Sequence, residues 1–84
     1  MAINLERAAM KGKLATAKES KVRLTNKFEG LARAIRHGIN TALIDIEDVE
    51  INQLSQMWSD LEISWAGILS LRSDIERLEK ELGD

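Results

Sequence analysis

The sequence predicts an all-α protein, a long antiparallel helical hairpin of coiled-coil type. Three observations carry this reading. The 84 residues contain no Pro and are rich in Ala, Leu, Glu, Lys and Arg, all strong helix formers. Apolar residues recur at steps of three and four through both halves of the chain. Charge is sorted by half: residues 1–37 carry nine Lys and Arg against three Asp and Glu, and residues 45–84 carry three against eleven. The net charge of −2 conceals a basic helix and an acidic helix suited to each other.

The first helix is expected over about residues 4–36. Asn4 is its candidate N-cap, with Glu6 near the positive helix end. Its seam runs Ile3, Arg7, Met10, Leu14, Ala17, Lys21, Leu24, Phe28, Leu31 and Ile35, a heptad repeat with two charged interruptions. Arg36 and His37 suit the negative end, and Gly38 is the expected residue just past it. The connection is expected over about 37–45, with Asn40, Thr41 or Asp45 capping a second helix over about 45–82. Breaks at Gly12 or near Ser20 would instead give a three-helix bundle.

In the second helix, Leu54, Leu61, Ile68, Ile75 and Leu82 form a seven-residue spine. Trp58 and Trp65 stand four residues after its first two members, continuing a column from Ile44 and Ile51. Met57, Leu71 and Leu78 stand three after. The stripe therefore leans one way early and the other way late. Either the helix supercoils or its partner changes along its length.

Folding the chain near residues 40–41 sets Arg7 opposite Asp74 and Lys21 opposite Asp60. These are expected register pairs that fix orientation more than stability. A lone hairpin leaves large apolar groups wet, so a homodimer forming a four-helix bundle is expected. Its expected interface is Ile51, Trp58, Trp65, Leu61, Ile68 and Phe28, because large aromatics on a helical stripe bury and Trp is enriched at contact cores.

No chemistry-bearing constellation stands out. Cys is absent, which removes disulfides, thiolate metal sites and a Cys nucleophile. The single His37 reads as a helix-end residue rather than a ligand or base. Asp45, Glu47, Asp48 and Glu50 lack the alternating ligands and central Gly of a calcium loop and read as an acidic helix start. No catalytic residue, cofactor, metal or small-molecule substrate is expected. Charged residues break the first 20 positions and the longest apolar run is short, so no signal peptide and no membrane span are expected. The expected location is cytoplasmic.

The leading functional expectation is a non-enzymatic structural or interaction protein, an adaptor or assembly factor that self-associates and offers the same face or its exposed remainder to a larger protein partner. The alternative is a nucleic-acid-associated protein using Lys11, Lys13, Lys18, Arg23 and Lys27 against phosphates. The acidic total, the lack of interleaved aromatics and the missing helix-turn-helix or zinc-finger signature weigh against it.

Overall fold

The structure is a computed structural model that describes residues 2–83, and the side chains of residues 5–83. Two long helices account for nearly all of it: α1, Ala2–Gly38, and α2, Ile51–Leu82, with a short 3-10 turn at Ile46–Asp48 between them. They run antiparallel in an extended hairpin measuring 66 × 17 × 15 Å.

The first helix is continuous through Gly12 and Gly30, so the chain forms two long helices and not three. Thirty-seven residues carry enough helix formers to outweigh two glycines at about 1 kcal/mol each. Both glycines face open space, with nothing within 4 Å of an added methyl. Replacing both by Ala is expected to raise the unfolding free energy by about 1–2 kcal/mol, measured by urea denaturation.

The ends differ from expectation. The candidate cap Asn4 lies inside α1, two residues past its start. Gly38 is the last residue of α1 and keeps a negative φ; the left-handed cap is Gly83, at φ 75°, whose N–H meets the carbonyls of Glu79 and Lys80. Gly38 serves close approach instead. A methyl there would lie 2.8 Å from Leu54 Cδ2.

The second helix begins at Ile51, six residues later than expected. Asp45 and Val49 are extended, which suits a stretch dense in β-branched residues. Asn40 organises the turn: its side-chain oxygen accepts from the Ala42 N–H at 3.1 Å, and its carbonyl accepts from Leu43 and Ile44. Glu47, Asp48 and Glu50 thus sit just before α2, where the helix dipole favours negative charge.

The later start of α2 resets the register. Gly38 meets Leu54, and equal and opposite steps of ten, seventeen and twenty-four residues from that layer put Phe28 across from Ser64, Lys21 across from Leu71 and Leu14 across from Leu78. The tightest packing agrees: Leu14, Ile75, Leu78 and Leu82 form a buried cluster with Met10 and Ala17 against it. The expected pairs Arg7–Asp74 and Lys21–Asp60 do not form. Arg7 donates to the Leu82 carbonyl at 2.9 Å, Asp74 lies 3.8 Å from Arg77 of its own helix, and Asp60 accepts from Gln56 at 3.4 Å. The cross-helix ion pair among the described residues is Lys18–Glu79, at 3.2 Å. A Lys18→Glu, Glu79→Lys cycle should show coupling of about 0.2–1 kcal/mol, and a Lys21→Asp, Asp60→Lys cycle none.

On α2 the buried stripe is the spine plus the column three residues on: Met57, Ser64, Leu71 and Leu78. Ser64 is the most buried residue, at 2% exposure. The register sets this small side chain near the level of Phe28, where a large one would overfill the layer. The seam stays on this column along the whole helix. The tryptophan column, four residues after the spine, is left outside it.

Candidate functional site: an apolar flank of the hairpin

Two helices in contact make a two-layer ribbon with two broad flanks. The Lys18–Glu79 pair identifies one, because these residues occupy matching positions beside the seam. Heptad steps from Lys18 along α1 give Thr25, Ala32 and Ile39; steps back from Glu79 along α2 give Arg72, Trp65, Trp58 and Ile51. The flank is therefore charged toward the chain ends and apolar toward the connection.

The apolar half holds the largest exposed hydrophobic side chains of the helices. Trp58 is 53% exposed, Trp65 55% and Ile51 64%. Between them lies an open cleft of about 550 Å³ lined by Phe28, Trp58, Leu61, Glu62, Trp65 and Ala66. Leu61 is buried in the seam and forms its floor, and Phe28 contributes from α1. The cleft continues along α1 as a smaller hollow beside Ala32, Arg33 and Arg36, of about 210 Å³. Toward the chain ends, a third hollow, about 440 Å³, runs over Lys18, Lys21, Val22 and Thr25 to Ile75 and Glu79.

Of the residues expected at an interface, the structure brings Phe28, Trp58, Leu61 and Trp65 to this one cleft. Ile51 extends the column at the connection end. Ile68 is half-buried in the seam. The smaller members of the flank, Ala32 and Ala66, carry no signal in the sequence by themselves; they matter because they leave the tryptophan faces open.

The basic residues are dispersed. Lys11 and Lys18 lie on the tryptophan-bearing flank, and Lys13 and Lys27 on the opposite one. Arg23 points away from the seam, 3.3 Å from Ser20. Lys21 is half-buried at a seam position, and His37 is exposed in the last turn of α1. None of the helices is long and apolar enough to cross a membrane.

No family model matches the chain, and neither a curated protein nor a solved structure matches it.

Proposed function

We propose that this protein is a non-enzymatic structural or interaction protein, a helical hairpin that self-associates through the Trp58–Trp65 flank and serves as an adaptor or assembly factor. The observation that carries the proposal is the pair of half-exposed tryptophans on one helical column, opening a cleft over Phe28 and Leu61. A contiguous apolar surface of this kind on a small monomer marks a contact surface, and its aromatic composition is that of an interface core. Two copies joined here make a four-helix bundle, which gives each thin hairpin a second apolar core.

Light scattering across a concentration series tests this. The expected result is twice the chain mass at high concentration, falling toward the chain mass on dilution. A chain mass throughout would refute it.

The nucleic-acid alternative draws only on the positive charge of α1. Its cations divide between two flanks, which is a weak geometry for following one phosphate backbone. A gel shift at low salt that disappears with the Lys11, Lys13 and Lys18 side chains would favour it.

A further inference from the structure

The geometry points to one specific dimer: two hairpins joined flank to flank about a two-fold axis parallel to the helices, with both connections at the same end. This rests on the self-association proposed above and adds which way the second copy faces.

A two-fold axis relating two ribbons stacked face to face must lie in the plane between them. Two principal directions are open to it. An axis across the helices turns the second copy end over end. Each α1 then lies on the other α1, and each α2 on the other α2. An axis along the helices keeps the ends together. Each α1 then lies on the partner's α2, and every neighbouring pair in the bundle is antiparallel.

Three features of the chain choose the second arrangement. The first is charge. Residues 1–37 carry nine Lys and Arg against three Asp and Glu, while residues 45–84 carry three against eleven. The axis across the helices stacks like charge on like charge along the whole length. The axis along them surrounds each basic helix with two acidic ones, and such juxtaposition is what governs partner orientation.

The second is where the apolar surface lies. Trp58, Trp65 and Ile51 occupy only the connection half of the flank, and Lys18, Glu79 and Arg72 the other half. Turning the copy end over end at full overlap would set tryptophans on ions. Keeping the ends together sets the tryptophans of each copy on the apolar connection half of the other copy's α1, around Phe28 and Ala32, and leaves the Lys18–Glu79 end beside its own complement.

The third is area. A full-length contact covers a footprint on the order of 1,100 Å² per copy, from the 66 and 17 Å extents of the hairpin. Stable interfaces bury about 800 Å² per partner. Sliding an end-over-end copy until only the apolar halves overlap would roughly halve the footprint, below that value.

The natural absence of Cys allows single reporters on the full chain. Thr41→Cys places a spin label in the exposed connection, and Lys80→Cys places one on the exposed face of the last turn of α2. Pulsed dipolar distances are measured on each variant, with its mass checked by sedimentation. With helices packed 8–10 Å apart, both variants should give label separations under about 30 Å. A dimer in which either pair lies near the 66 Å hairpin length would overturn this arrangement and leave self-association standing. A sample with the mass of one chain, giving no intermolecular dipolar signal, would overturn both.

Discussion

Replacing Trp58 and Trp65 together by Ala is expected to abolish self-association while the hairpin stays folded. Both side chains are about half exposed in the single chain, at 53% and 55%, so their removal leaves the seam intact. Buried aromatic anchors at protein contacts cost about 2 kcal/mol or more each on truncation, a factor of about 30 or more in the dissociation constant. Two on one column should weaken the dimer about a thousandfold, carrying a micromolar dissociation constant into the millimolar range. The measurement is a sedimentation series on wild type and variant, with circular dichroism showing unchanged helix content. Ile63→Ala is the control. Ile63 is 69% exposed but lies away from this flank, so its loss should leave the mass unchanged.

The opposite outcome is expected inside the seam. Leu78→Ala should destabilise the fold by about 2–5 kcal/mol, read as a large fall in the urea midpoint at fixed protein concentration. Leu78 is 6% exposed and belongs to the buried cluster of Leu14, Ile75, Leu78 and Leu82. That cluster gathers most of the buried side chains of a hairpin held by a single stripe, and it lies toward the open ends, where fraying begins. A cavity there therefore removes the clamp that keeps the chain ends together. Comparing the two variants separates their roles: the tryptophans act between copies, and the leucines within one.

The fold was legible in the sequence to the extent that periodicity determines it. The α1 seam from Met10 to Ile35 and the α2 spine from Leu54 to Leu82 are where the heptad repeat puts them. The surrounding helix formers carried α1 through Gly12 and Gly30, two exposed positions that take no part in the seam. Register was not legible in this way. It depends on the length of the connection, and the extended backbone at Asp45 and Val49 delayed α2 to Ile51, which moved Arg7 to the Leu82 carbonyl. Heptad periodicity fixes which residues face a partner, but it leaves the axial offset free.

The candidate site was half legible. The tryptophan column could be read directly, but whether it belonged to the seam or to a flank depended on Ser64. A serine in a periodic stretch reads as polar and solvent-facing, yet Ser64 is buried, its small volume suiting a position inside the seam. Once Ser64 takes the inner position, helical geometry leaves Trp58 and Trp65 outside. The division of lysines between two flanks also needed the seam to be located first.

Tryptophan emission followed through dilution reads the contact between copies at its own residues, because Trp58 and Trp65 are the only two tryptophans in the chain. Self-association through this flank gives blue-shifted emission at high concentration and a red shift on dilution, with a midpoint matching the change in mass by light scattering. Dissociation with no change in tryptophan emission would place the contact elsewhere on the molecule and rule out the Trp58–Trp65 flank.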